Sequence, residues 1–371
     1  MRVLVAPDKL KGSATAVEAA SAMAQGVVRA GGHATTLPLA DGGEGTLEAI
    51  HAALHGQRRE VEVADARARP TTARLLLLDA GRSVVIESAD AVGLAKHAGE
   101  RRLFEGTSYG VGELILHALD VGAARILVAL GGSATNDGGI GAAQALGVEL
   151  VGAPRPARAR DLKSVVAIDT SRLDPRLAHV ELVALCDVRS PLTGPDGASR
   201  MFGPQKGASA EEALVLDAEL ARLAALARFD ASTEGAGAAG GLGFALAALA
   251  GARLARGADW VLDCVGFEAA LAHVDLVLTA EGSVDAQTLA GKLVARVGER
   301  AARAGVPAIA LGGRVTAPAE SLAAHGIAAA FALADGPMDA RESMARAPEL
   351  LAAAAERVVR SLSAIARGRA P

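Results

Sequence analysis

Short apolar runs rich in Val, Leu and Ile alternate along the chain with Gly- and Asp-bearing loops and with stretches whose apolar residues return every three to four positions. The runs read as buried strands and the spaced stretches as amphipathic helices. Residues 2–6 lead into Asp8-Lys9-Leu10-Lys11-Gly12-Ser13, after which Thr15-Ala16-Val17-Glu18 has the form of a capping box that opens a helix. Residues 35–39 lead into Asp41-Gly42-Gly43-Glu44-Gly45, with Leu47, Ile50 and Leu54 marking the next helical face. Residues 126–130 run into the loop 131–139, and residues 180–185 into Asp187. Residues 276–279 precede Glu281-Gly282-Ser283-Val284-Asp285, read as a loop, residues 308–311 precede Gly312-Gly313-Arg314, and residues 327–333 precede Asp335-Gly336. Strand, loop and helix in this repeating order predict an α/β protein with a parallel sheet. In such sheets ligands bind beyond the carboxyl ends of the strands, so the chemistry is sought in these loops.

Residues 60–90 break the rhythm. Glu60-Val61-Glu62-Val63, then 74–78 and 83–87, predict a β-meander and the entry to a second domain. The first two units and the last three complete one parallel sheet, giving a discontinuous domain of residues 1–59 plus 259–371 and an inserted domain of residues 60–258. The active site is expected in the cleft between them. Two consecutive domains divided near residue 150 are the alternative.

With 371 residues, 51% of them hydrophobic, and a mean hydropathy of +0.30, the chain can fill more than one core, since single cores stop growing near ~250–300 residues. A formal charge of −4 carries no nucleic-acid or polybasic membrane signature. The expected partner is a small molecule, with a homo-oligomer left open. Cys186 and Cys264 lack metal-type spacing and are expected in the core of a protein kept reduced. The N-terminal segment turns polar after five residues, too early for a signal-peptide apolar region, so a cytoplasmic location is expected. Residues 235–252 carry no charge, but six of them are glycine, which favours a Gly-rich turn and a buried helix over 242–249 rather than a membrane span.

Thirty-two of the 38 basic residues are Arg and six are Lys, namely Lys9, Lys11, Lys96, Lys163, Lys206 and Lys292. In a chain that uses Arg wherever a positive charge suffices, a lysine points to a site that needs a compact ammonium. Asn136 is the single asparagine. Two familiar motifs fail on context. Gly235-Ala236-Gly237-Ala238-Ala239-Gly240, with Asp259 downstream, has the dinucleotide spacing but follows a polar stretch instead of a strand. Gly106-Thr107-Ser108-Tyr109-Gly110 has the nucleophile-elbow spacing, again without a strand, and Ser108 reads as a helix cap.

What remains is a set of strand-end loops that carry Asp8, Asp41, Glu44, Asp137, Asp187, Glu281 and Asp285 beside Lys9, Lys11, Lys206 and Lys292. Carboxylates hold Mg²⁺ together with substrate phosphates. Glycines let backbone N–H groups approach phosphate oxygens, and lysines serve as point charges on them. The combination points to a Mg-nucleotide phosphotransferase with a non-standard phosphate loop. A non-catalytic nucleotide- or sugar-acid-binding module and an NAD-dependent oxidoreductase are the alternatives.

At these loops the chain resembles the bacterial two-domain glycerate kinases (the glycerate 2-kinase type) over nearly its whole length. Ala6-Pro7-Asp8-Lys9-Leu10-Lys11-Gly12-Ser13 is similar to that family's A-P-D-S/K-F-K-G-S opening, with Leu10 in place of Phe. Pro38-Leu39-Ala40-Asp41-Gly42-Gly43-Glu44-Gly45-Thr46, the loop 131–139 and Phe202-Gly203-Pro204-Gln205-Lys206-Gly207-Ala208 resemble further signatures. The stretch from Glu281 to Thr288 follows T-G-E-G-x-x-D-x-Q-T, with Ala280 in place of Gly. The resemblance implies a discontinuous Rossmann- or flavodoxin-like parallel-sheet domain with an inserted α/β domain. It also implies transfer of the γ-phosphoryl group of ATP to D-glycerate, at the 2-hydroxyl, with Mg²⁺. Lys11, Ser13 and the loop residues Gly131, Gly132, Ser133, Thr135, Asn136 and Asp137 are then expected at the nucleotide phosphates. Asp187, Glu281 and Asp285 are the expected metal ligands. Asp8, Asp41 and Lys206 are expected to orient glycerate, and a general base is expected from the same carboxylates.

Overall fold

The computed structural model describes residues 1–97, 102–289 and 292–368. In chain order its strands are β1 (Arg2–Val5), β2 (His33–Thr36), β3 (Gln57–Ala64), β4 (Pro70–Leu78), β5 (Ser83–Glu87), β6 (Arg125–Ala129) and β7 (Glu149–Val151). They continue with β8 (Ala167–Asp169), β9 (Glu181–Cys186), β10 (Arg253–Arg256), β11 (Leu276–Val284), β12 (Ala308–Val315) and β13 (Ile327–Ala332). The chain divides into two compact units, one of Met1–Asp41, Glu48–His55 and Ala258–Pro371, the other of Gly42–Leu47 and Gly56–Gly257. Residues Gly42–Leu47, placed by the sequence in the discontinuous domain, belong with the second unit. The physical reason is close packing: a Cβ added to Gly131 would stand 2.5 Å from the Gly43 Cα.

The first unit is built on a parallel sheet of order β13-β12-β11-β1-β2. Val3, Val5, Leu276, Leu278, Ile309 and Leu311 from its central strands are buried against helices Ala16–Arg29 and Ala347–Gly368. The two helices meet at Gly26, where a Cβ would lie 2.0 Å from the carbonyl oxygen of Ala352. The Thr15 and Glu18 capping box forms as the sequence predicts. Two segments read as loops are strand instead. β11 runs through Glu281-Gly282-Ser283-Val284 and β12 through Gly312-Gly313-Arg314-Val315, because they pair with each other in register, Glu281 with Gly312 and Val284 with Val315. Gly312 and Gly313 leave this extension narrow: a Cβ on Gly313 would stand 2.7 Å from the Gly282 carbonyl oxygen.

The second unit carries a six-stranded sheet of order β10-β9-β6-β5-β4-β3. Its meander β3-β4-β5 is antiparallel, after which β5, β6, β9 and β10 run parallel. A hairpin of β7 and β8 stands apart. Helix Ala238–Ala250 is buried, as its composition predicts, but its first turn is unwound: Ala239, Gly240 and Gly241 have positive φ. The reason is contact with the loop after β6, since a Cβ on Gly240 would stand 2.1 Å from the Thr135 carbonyl oxygen. The glycines that imitate a dinucleotide fingerprint are therefore packing residues. No helix among the described residues is long and apolar enough to cross a membrane.

Candidate active site

In the first unit the β-ladder continues past the end of β1, with the Ala6 and Asp8 amides donating to the carbonyls of Leu278 and Ala280 at 2.8 Å each. This carries Asp8 past the carboxyl end of β1, close to Glu281 within β11. Asp8 is only 7% exposed and its Oδ1 accepts from the Lys9 amide at 2.7 Å. The Lys9 ammonium lies 3.2 Å from Asp41 Oδ1 and 3.8 Å from Asp8 Oδ1. Burial, then the neighbouring Asp41, pushes the Asp8 carboxyl up to about 8, with Lys9 opposing. Glu281 is pushed up to about 7, chiefly by burial, with Asp285 and Asp41 adding to it, while Thr288 Oγ1 donates to its Oε1. Asp8 and Glu281 thus share a space in which burial, and then neighbouring carboxylates, disfavour their charge.

Asp285 accepts from Ser283 Oγ at 3.0 Å and lies 3.4 Å from the Thr288 amide at the start of the following helical turn. Lys11-Gly12-Ser13 is a tight turn closed by hydrogen bonds between Leu10 and Ala14, with Gly12 at φ 76°. Lys11 is exposed and Ser13 half-buried. The lysine packed among loop backbones is a different one.

That lysine is Lys206, in the second unit. It is 5% exposed, and its Nζ donates to the Thr135 carbonyl at 2.7 Å and to Ser133 Oγ at 3.2 Å. Burial pulls its pKa down to about 8, opposed by Asp137. Asn136 Nδ2 donates to Ser199 Oγ at 2.7 Å. Asn136 Oδ1 and Thr135 Oγ1 are buried and have no hydrogen-bond partner among the described residues. Orphaned polar atoms beside a buried ammonium are costly unless something else completes their bonding.

Asp137 is fully buried, and its carboxylate accepts from the Ser108 amide and hydroxyl at 2.8 Å each and from the Gly139 and Gly141 amides at 3.2 Å. Both its oxygens are engaged inside the chain, so it braces the loop. Ser108 occupies the cap position of helix Tyr109–Asp120, but its hydroxyl does not cap that helix. It donates to Asp137 and accepts from the Ala142 amide at 3.0 Å instead.

The expected residues thus fall into two sets. Asp8, Asp41, Glu281 and Asp285, with Lys11 and Ser13, lie in the first unit. Gly131, Gly132, Ser133, Thr135, Asn136, Asp137 and Lys206 lie in the second. Asp187, expected beside Glu281 and Asp285, follows β9 and belongs to the second set. Among the described residues no three His, Cys, Asp or Glu side chains form a group able to hold a metal ion by themselves. Sequence reasoning passed over Ser199, which no local pattern marks, and Glu87, whose signal is a carboxylate ending the apolar strand β5.

A family model described as "Glycerate kinase family" matches residues 3–363. The chain is 40% identical over 375 residues to glycerate kinase of Bacillus subtilis (strain 168), covering 98% of this chain and 97% of that one. It is 39% identical over 344 residues to glycerate 2-kinase of Escherichia coli (strain K12), covering 90% of each. A crystal structure assigned to glycerate kinase 2 of Salmonella typhimurium LT2 superposes with a TM-score of 0.82 at 40% identity, over 99% of both chains. Loops, fold and these matches lead to one conclusion: the chain belongs to the glycerate kinase family.

Proposed function

We propose that the protein transfers the γ-phosphoryl group of ATP to the 2-hydroxyl of D-glycerate, giving 2-phosphoglycerate and ADP. The observation that carries this reading is the gathering of Asp8, Asp41 and Glu281 past the carboxyl end of β1 and beside β11, in a chain of this family. The name of the E. coli relative supports the 2-position.

Asp8 accepts the proton from the glycerate hydroxyl as its oxygen attacks the γ-phosphorus and ADP leaves. A carboxyl raised above its ordinary range is a stronger base than a free carboxylate and acts through its ionised fraction, so the rate should rise with pH toward about 8. Asp41, held by Lys9, orients the acceptor. Lys206, Ser133 and Thr135 offer a buried cation and hydroxyls to the anionic reactants, Asn136 Oδ1 offers an acceptor to a hydroxyl or amino group of a reactant, and the amides of Gly131 and Gly132 line the same loop. Lys11 and Ser13 add exposed contacts to phosphate. A buried carboxylate raised first by burial and then by like-charged neighbours suits a divalent cation, and Glu281 with Asp285 would hold Mg²⁺. Mg²⁺ is commonly held by one or two carboxylates plus substrate phosphates, so no complete protein cage is required. When bound, it neutralises charge developing on the transferred group.

A coupled assay with ATP, Mg²⁺ and D-glycerate should show ADP release that needs all three and stops on adding EDTA. Phosphorus NMR should show 2-phosphoglycerate. A product that is only 3-phosphoglycerate would overturn the position, and absence of glycerate-dependent ADP release would overturn the activity.

A further inference from the structure

Glu87 ends β5, is 4% exposed, and has no role in the site as described so far. Its Oε1 accepts from the Leu47 amide at 2.6 Å, and its carboxylate also accepts from the Gly45 amide. Burial pushes its pKa up to about 7 against these two hydrogen bonds, with Asp90 adding and Arg74 opposing. A carboxylate buried at such cost is held in place by its donors.

The residues that follow Glu87 hold another loop. The Leu94 amide donates to the Gly132 carbonyl and the Ala134 amide to the Val92 carbonyl, at 2.8 Å each, and Gly93 bridges to Ser133. The whole segment is anchored by Arg74, whose backbone amide and guanidinium donate to Asp90 at 2.8 to 3.0 Å. The two loops held in this way touch each other. Besides the approach of Gly131 to Gly43, a Cβ on Gly132 would stand 3.5 Å from Glu44 Cβ and 3.6 Å from Glu44 Oε2. At the far end of the first loop, the buried Thr46 Oγ1 donates to the Gly43 carbonyl at 2.7 Å.

We propose that Glu87 is a positioning residue for phosphoryl transfer: by gripping Gly45 and Leu47 it sets the loop Gly42–Leu47, and Glu44 with it, in register against the loop 131–136. The inference rests on the phosphate-facing role given to the latter loop above. Glu87 itself touches no reactant. Its carboxylate accepts two backbone donors, whereas an isosteric carboxamide has one neutral acceptor oxygen in place of two charged ones.

The test compares the wild-type chain with Glu87→Gln, Thr46→Val and the double variant. In Glu87→Gln, kcat should fall roughly 10²-fold, the scale of a misplacement of about 1 Å, with KM for MgATP little changed, the mark of an interaction that matters only in the transition state. Hydrogen exchange at the Gly45 and Leu47 amides should accelerate. Thr46→Val, which frees the same loop from its other end, should show the same kcat-selective loss, and carries the test alone if Glu87→Gln does not fold. The two losses should combine less than additively, because both act on one register. A lowered urea midpoint with wild-type kcat in the folded variants would make Glu87 merely structural and overturn the inference. Wild-type protein without glycerate-dependent ADP release would instead overturn the reading on which the inference rests.

Discussion

Replacing Lys206 by Met tests the second-unit cluster most severely, because the structure sets stability and activity against each other there. Moving a lysine from its ordinary 10.5 to about 8 corresponds to about 3 kcal/mol of disfavoured charge at pH 7. Lys206→Met removes that cost with little change of volume. It also strips a donor from the Thr135 carbonyl and Ser133 Oγ, and a buried acceptor left unpaired costs about 1–3 kcal/mol. The two effects nearly cancel, so the variant should match the wild type at pH 7 to within about 2 kcal/mol. Its kcat should nevertheless fall by about 10²–10³, the loss typical of one transition-state donor.

The pH dependence of stability isolates the ammonium. The folded pKa lies below the unfolded one, so between pH 8 and 10.5 the unfolded chain carries a proton that the folded chain has lost. Over that interval the wild type should gain about 3 kcal/mol relative to Lys206→Met, whereas below pH 8 the difference should be constant. Urea unfolding of both proteins at pH 7, 8, 9 and 10 measures the gap, and the coupled assay measures kcat. The exposed Lys163, changed to Met, is the control and should alter stability by no more than about 0.5 kcal/mol. A gap that stays flat from pH 8 to 10, or a Lys206→Met enzyme with normal kcat, would refute the reasoning.

Ser108→Ala removes one hydroxyl donor from the buried Asp137 and the acceptor of the Ala142 amide. Unfolding free energy should fall by about 1–3 kcal/mol, and an unchanged urea midpoint would show that the pair bears no weight. Glu281→Gln keeps the hydrogen bond from Thr288 within reach while removing a charge, so the Mg²⁺ concentration for half-maximal activity should rise about tenfold or more, the scale seen even for outer-shell ligand partners. An unchanged Mg²⁺ requirement would remove Glu281 from the metal site.

The sequence by itself determined the elements. Residues 2–5 and 276–279 are apolar enough to be central strands, Thr15 and Glu18 announce the first helix, and three short runs between Glu60 and Glu87 with no helical spacing between them announce the meander. These features depend on local periodicity and capping, which neighbours in the chain decide. The single asparagine marked Asn136 before any contact was known, whereas the rarity of lysine marked Lys206 only as one of six. Only the tertiary structure decided what each loop residue does. Glu281 and Gly312 look like loop residues until two distant segments pair and draw both into strands. Lys11 and Lys206 have equally Gly-rich surroundings in sequence, yet one is exposed and the other sealed against Thr135. Glu87 reads as the end of a strand, and becomes a clamp because Gly45 and Leu47, some forty residues earlier, present their amides to it. Burial and hydrogen-bond partners are set by residues far apart in the chain, so a carboxylate's or a lysine's charge state, and with it its chemistry, is fixed only when the units have folded.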